Sequence, residues 1–426
     1  MLLAQGPPMG WNSWDSYGLR INEQQFRDNV EAMASKLKAS GYTYAVIDEG
    51  WYMRNPEDRG KPERLRYELD AFGRYIPVPA RFPSALDKGG NTGFAALARS
   101  VHAQGLKFGI HVIRGIPRES VTRNLPIEGT AFLAKDAADV TDACPWDPTS
   151  WGIKDNAAGQ AWYDALARQY AAWGVDFLKV DCISDHPYKA SEIRQIATAI
   201  RRSGRAMVLS LSPGPTAIEH QPEVATLAQM WRISDDVWDL WEGKGGFPTG
   251  VKNQFETAAK WAQFTKPGNW PDADMLPVGE LRPHPDVGPG ARHTRLTEAE
   301  QRTELSLWAM ARSPLILGAN LTLLDEATLR LLTNAAILKI DQQATASRQV
   351  LREGDFVAWT ADLPAGEHAL ALFNLGESAM KVDRAWTEFG LKPGAAKEAW
   401  SGESSKGPRI KASLEPHGSA VWVVKR

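Results

Sequence analysis

Residues 163–182 read YDALARQYAAWGVDFLKVDC: a helix, a stop and a strand in one stretch. Tyr163, Leu166, Tyr170 and Trp173 recur at intervals of 3, 4 and 3, which puts one apolar stripe along a helix. Gly174 stops it, and Phe177-Leu178-Lys179-Val180 runs as a short strand to Asp181. The unit recurs in both directions. Upstream, Phe26, Val30, Met33 and Leu37 lead through Gly41 to an apolar run at 44–47, which ends at Asp48-Glu49. Phe94, Leu97 and Val101 lead through Gly105 to a run at 106–111. Downstream, Ile193, Ile196 and Ile200 lead through Gly204 to a run at 207–211. Short strands at 9–11, 230–233, 270–275 and 315–317 bring the total to eight. Strand–helix alternation means a parallel sheet. Eight such strands at this length predict an α/β protein built on a (β/α)8 TIM barrel. A doubly wound open sheet is the alternative, but no Gly-rich phosphate loop follows the first strand.

The texture changes near residue 340. Runs at 356–360, 369–373 and 420–424 are parted by turns at Gly354-Asp355, Pro364-Ala365-Gly366 and Pro393-Gly394, with no helical stripe between them. This predicts two domains: a catalytic barrel over 1–341 and a C-terminal antiparallel β-sandwich domain over 342–426.

Composition narrows the function. Of 426 residues, 43% are hydrophobic and 23% charged, which excludes wholesale disorder. Lys and Arg number 49 against 51 Asp and Glu, so no electrostatic footprint for nucleic acid or an anionic membrane appears. No apolar stretch nears the ~20 residues that span a bilayer. Cys144 and Cys182 allow at most one disulfide and read equally as free or bonded. The opening MLLAQGPPMGWNSW contains no charged start followed by an apolar core. With Leu2-Leu3-Ala4-Gln5 read as the tail of a removed signal, a secreted or periplasmic place is expected, the cytoplasm staying open. Tryptophan stands out at 17, and its flat apolar face suits a sugar ring.

A barrel's chemistry sits at the C-terminal ends of its strands. There the chain carries Asp48-Glu49, His111, Lys179 and Asp181, then 210–212, Arg232 through Asp236, Asp272 and Asp274. Any one Asp after a strand serves equally as a helix cap; a ring of them is harder to explain so. Lys179 and Asp181, two apart, share one face of their strand. Carboxylates dominate and Trp11, Trp14, Trp51, Trp231, Trp238 and Trp270 flank them, an arrangement suited to holding a sugar and cleaving its glycosidic bond. No metal-ligand spacing, nucleophile elbow or phosphate loop appears, and His111 with Asp48 and Glu49 is a thin basis for a metal site. No metal or organic cofactor is expected.

At these residues the chain resembles glycoside hydrolase family 27, the α-galactosidase and α-N-acetylgalactosaminidase family. The resemblance is carried by PPMGWNSWDSYG at 7–18, VIDEGWY at 46–52, LKFGIH at 106–111 and WGVDFLKVDC at 173–182. It continues through WRISDDVWDLW at 231–241, NWPDADMLPVG at 269–279 and SPLILGANL at 313–321. It implies a barrel followed by an antiparallel β-domain, and a retaining mechanism with Asp181 as nucleophile and Asp236, rather than Asp235, as acid/base. It also implies sugar contacts from Trp14, Asp48, Glu49, Lys179, Arg232 and Asp274.

Three departures bear on the sugar. Asp48-Glu49 stands where the family has Asp-Asp, His111 replaces a common Tyr, and Ser212 takes the place of a Glu beside the sugar's 2-OH. The resemblance implies an exo-acting α-galactosidase on terminal α-D-galactosyl residues. An α-N-acetylgalactosaminidase or a β-L-arabinopyranosidase is the alternative, and a non-catalytic carbohydrate-binding protein a weaker one. The partner is a carbohydrate, with no nucleic acid or membrane; natural glycan, linkage and oligomeric state stay open.

Overall fold

A computed structural model describes residues 2–59, 61–87, 89–282 and 290–425. Eight parallel strands form its first part: β1 (Met9–Asn12), β2 (Tyr44–Ile47), β3 (Lys107–Ile113), β4 (Phe177–Asp181), β5 (Val208–Leu211), β6 (Met230–Arg232), β7 (Trp270–Asp272) and β8 (Leu315–Leu317). They pair in the order β7-β6-β5-β4-β3-β2-β1-β8. A parallel bridge between Leu276 and Leu317 joins the two edges and closes the barrel. All eight lie where the sequence pattern predicts them. β3 runs two residues past His111, so that side chain sits within the strand and not at its end.

Side-chain alternation explains the interior. Tyr44, Val46, Phe177, Val208, Met230, Trp270 and Ile316 pack together as the apolar floor of the lumen. Their neighbours Ala45, Ile47, Leu178, Val180, Leu209 and Trp231 join the larger core outside the barrel wall. Further along the same inward rows, the side chains turn polar: Asp48 two residues after Val46, Lys179 and Asp181 two and four after Phe177, Arg232 two after Met230, Asp272 two after Trp270. One alternating pattern thus builds a dry floor and a charged mouth.

Between β3 and β4 lies an antiparallel sheet of Ile116–Pro117, Ser150–Ile153 and Ala138–Ala143, with Ser150–Ile153 central. The disulfide Cys144–Cys182 ties it to the end of β4. Arg114 adds an ion pair to Asp142 at 2.9 Å and another to Glu192 at 2.7 Å.

The C-terminal part is two sheets. Six antiparallel strands run Thr345–Glu353, Phe356–Asp362, His368–Asn374, Ser419–Lys425, Ala395–Glu398 and Ser404–Ser405; a pair, Met380–Ala385 and Arg409–Leu414, forms the second sheet. Phe356, Ala358, Leu370, Leu372 and Trp422 meet Val382, Trp386, Ile410 and Leu414 between the sheets. The alternate residues Val357, Trp359, Ala361, Ala371, Phe373 and Val421 belong to the barrel's core. Phe373 meets Phe255 edge-on at 5.0 Å. At a turn of this domain His417 stacks on Trp241 at 4.2 Å and hydrogen-bonds Glu300 at 2.7 Å. Among the described residues no helix is long and apolar enough to cross a membrane.

Candidate active site

At the charged mouth lies a cavity of about 580 Å³. Trp14, Asp48, Glu49, Lys179, Asp181, Ser212 and Asp236, all singled out from the sequence, line it. His111 and Arg232 stand behind that wall and touch residues in it, and Asp274 stands behind Arg232. His111 Nε2 donates to Asp181 Oδ2 at 3.2 Å. The Cys182 N–H donates to the other Asp181 oxygen at 2.5 Å. Arg232 donates from both terminal nitrogens to Asp236 Oδ1 at 3.2 Å and pairs with Asp274 at 2.7 Å. Asp235 also lines the cavity, but Arg232 makes its ion pairs with Asp236 and Asp274.

Each strand fixes a separate part of this network. Asp48, at the end of β2, accepts Asn12 at 2.7 Å, Lys179 at 2.9 Å and the Glu49 N–H at 2.8 Å. Burial opposes its charge, yet His111, Lys179 and these hydrogen bonds hold its carboxyl far below the usual carboxylate range. Asp181 is buried too. The His111 hydrogen bond, with His111 and Lys179 as neighbours, outweighs burial and keeps it ionised. Lys179 is held charged by Asp48 and Asp181 despite its burial. On the opposite side two carboxylates share one guanidinium. Burial first, then Asp236 and Asp272, push Asp274 up to about 7 against the pull of Arg232. Asp274 has φ +90°, a sparsely populated region for a side chain of its size, and Trp308 Nε1 holds its carbonyl at 2.9 Å.

The expected tryptophan wall is smaller than the sequence implies. Of the six flanking Trp residues only Trp14 lines the cavity. Trp11, Trp51, Trp231 and Trp270 are wholly buried and Trp238 nearly so, and several are spent on structure. Trp11 Nε1 donates to the Ala319 carbonyl, Trp51 to that of His111 and Trp270 to that of Ala4. The missing walls come from residues the sequence reading passed over: Arg59, Pro145, Trp146, His186, Pro213, Phe247 and Met275. A signal for Trp146 exists, since it stands two residues after Cys144. Among the described residues no three His, Cys, Asp or Glu are grouped to hold a metal ion.

Both cysteines are used. Their bond closes a loop spanning 38 positions, with Cys182 next to Asp181 and Cys144 next to the rim residues Pro145 and Trp146. Cys144→Ser is expected to lower the denaturation midpoint by the equivalent of about 4 kcal/mol, and to raise KM more than it lowers kcat. Chemical denaturation with parallel kinetics checks this; an unmoved midpoint contradicts it.

Comparison with known proteins finds two family matches along the chain. Residues 154–343 match the family model described as alpha galactosidase A, and 353–424 match the alpha galactosidase C-terminal beta sandwich domain. The α-galactosidase 2 of Arabidopsis thaliana is 28% identical over 437 residues, covering 100% of this chain and 90% of that protein. The α-N-acetylgalactosaminidase of Gallus gallus is 25% identical, covering 99% and 93%. Among solved structures, a family-27 β-L-arabinopyranosidase from Geobacillus stearothermophilus, in complex with arabinose, is 40% identical with a TM-score of 0.92, covering 99% and 98%.

Proposed function

The chain belongs to glycoside hydrolase family 27, and from that membership we propose that it is a retaining exo-glycosidase whose preferred terminal sugar is β-L-arabinopyranose, with α-D-galactose a slower substrate. β-L-arabinopyranose has the ring stereochemistry of α-D-galactose without the C6 carbon. The observation that carries this preference is Glu49. It lines the cavity while almost wholly buried, with Arg59 on one carboxylate oxygen at 3.1 Å. It is one methylene longer than the Asp the family pattern expects, and the added length enters space that a C6 hydroxymethyl would fill. Trp14, which lines the same cavity, supplies an aromatic side chain for the ring. Ser212, buried and small, leaves room beside C2 and offers a single hydroxyl to the N–H and C=O of an acetamido group; whichever of the two is buried unpaired costs roughly 1–3 kcal/mol. The 40% identity with an arabinopyranosidase supports the same reading.

In this mechanism Asp181 attacks C1 while Asp236 protonates the leaving oxygen, giving a covalent glycosyl-enzyme. Asp236 then takes a proton from the water that releases the sugar, with net retention.

The test is kcat/KM for nitrophenyl β-L-arabinopyranoside against nitrophenyl α-D-galactoside. The pentoside is expected to be the better substrate; a faster galactoside returns the assignment to α-galactosidase. Glu49→Asp is expected to shift the ratio toward galactoside by roughly 10–200-fold, the worth of one misfit methylene. An unmoved ratio removes Glu49 from the specificity.

A further inference from the structure

The stretch CPWDP at 144–148 supplies more than a rim. Asp147 is wholly buried, and one of its oxygens accepts the Thr149 N–H at 2.7 Å. The other, Oδ2, has no donor. Glu49 is in the mirror situation: Oε2 meets Arg59, and Oε1 has no donor. The two side chains lie within hydrogen-bonding reach of each other. The remaining groups facing the pair are Asp181, Tyr52, Tyr67 and Tyr75, so Arg59 is the cation on the Glu49 side and Arg118 acts more remotely, through Tyr67. Two buried carboxyls in hydrogen-bonding reach, each with one oxygen that has no donor, call for a hydrogen between them.

We propose that Asp147 and Glu49 share one proton, and that Asp147 is thereby the positioning residue that fixes the Glu49 carboxyl at the sugar. The proposal rests on the reading above that Glu49 meets the sugar. Burial and the neighbouring Asp147 drive the Glu49 acid well above its usual range, in agreement with a proton retained near neutrality. Asp147 is held on both sides, by the Cys144–Cys182 bond and by the strand Ser150–Ile153, so it is a firm partner. When pH rises enough to remove the proton, the two anions repel. Asp147 cannot yield, and Glu49 borders the cavity, so Glu49 moves into the sugar's space. The loss therefore falls on KM.

Asp147→Asn tests this, because an amide N–H donates to Glu49 at every pH while the amide oxygen still accepts from Thr149. In the full-length parent protein, KM for nitrophenyl β-L-arabinopyranoside is expected to climb roughly tenfold per pH unit on the alkaline side, as for one lost proton. In Asp147→Asn that climb is expected to vanish, with kcat at the optimum within about threefold of the parent. Identical alkaline limbs in the two proteins overturn the proposal. A second readout needs no turnover. The infrared difference between parent and Glu49→Gln at neutral pH is expected to show a protonated carboxyl band, and the difference between parent and Asp147→Asn the same band. Its absence overturns the shared proton. If neither glycoside is hydrolysed while the band is present, the substrate assignment fails and the pair stands.

Discussion

Asp181→Asn is expected to lower kcat by at least about 10³-fold while the protein keeps its fold, and Asp236→Asn to do nearly the same. General acid–base help alone contributes about 10²–10⁴-fold, and a lost nucleophile removes the covalent route as well. The change is nearly isosteric. Asn keeps an acceptor for the Cys182 N–H, its amide N–H can donate to His111 Nε2 once the imidazole proton moves to the unpartnered Nδ1, and Lys179 keeps Asp48 at 2.9 Å, so no buried cation is left alone. The loss therefore reports chemistry and not collapse. Asp236→Asn should be less damaging on nitrophenyl glycosides, whose leaving group needs little protonation, than on a disaccharide. Retention further requires the two carboxyls to lie about 5–5.5 Å apart, against about 6.5–9.5 Å for inversion. Turnover by a folded Asp181→Asn protein near the parent's would refute the nucleophile assignment, and NMR showing inversion at the anomeric carbon would refute retention.

Truncation after residue 343 is expected to abolish soluble expression. Val357, Trp359, Ala361, Ala371, Phe373 and Val421 bury one face of their sheet in the barrel's core, and removal would bare the matching barrel surface. A milder probe is Phe373→Ala, which empties the contact with Phe255 and should destabilise by about 3–5 kcal/mol. Phe373→Ala is expected to lower the denaturation midpoint with little change in KM, since Phe373 is remote from the sugar. A truncated barrel that is soluble and fully active would contradict the structural role.

The barrel was legible because its strands are buried on both faces and read as unbroken apolar runs such as 44–47. The same reasoning found 356–360, 369–373 and 420–424, whose strands are buried against the barrel on one face and the second sheet on the other. It missed Thr345–Glu353, Met380–Ala385, Ala395–Glu398 and Arg409–Leu414, which alternate buried and exposed residues too weakly to stand out. The inserted sheet was invisible for a like reason: Ala138–Ala143 reads ADVTDA. In the site, the acids were legible because strand ends are marked by the apolar runs before them. The walls from Trp146, His186 and Phe247 were not, since loops carry no periodicity and only closure of the barrel brings these residues to one mouth.

The charged mouth above the dry floor has a consequence for what it attracts. Asp48, Glu49, Asp181, Asp235, Asp236, Asp272 and Asp274 gather there against Lys179, Arg59 and Arg232. Even with protons retained on Glu49 and Asp274, negative charge is in excess, and the low-dielectric walls keep salt from screening it. A neutral sugar gains little from such a field. A ring that has become positive at C1 and the ring oxygen gains a great deal, and water excluded from the floor cannot dilute the attraction. The mouth is thus an electrostatic trap for cations of pyranose shape. A sugar mimic with a protonated nitrogen in the ring should be held more tightly than the sugar itself.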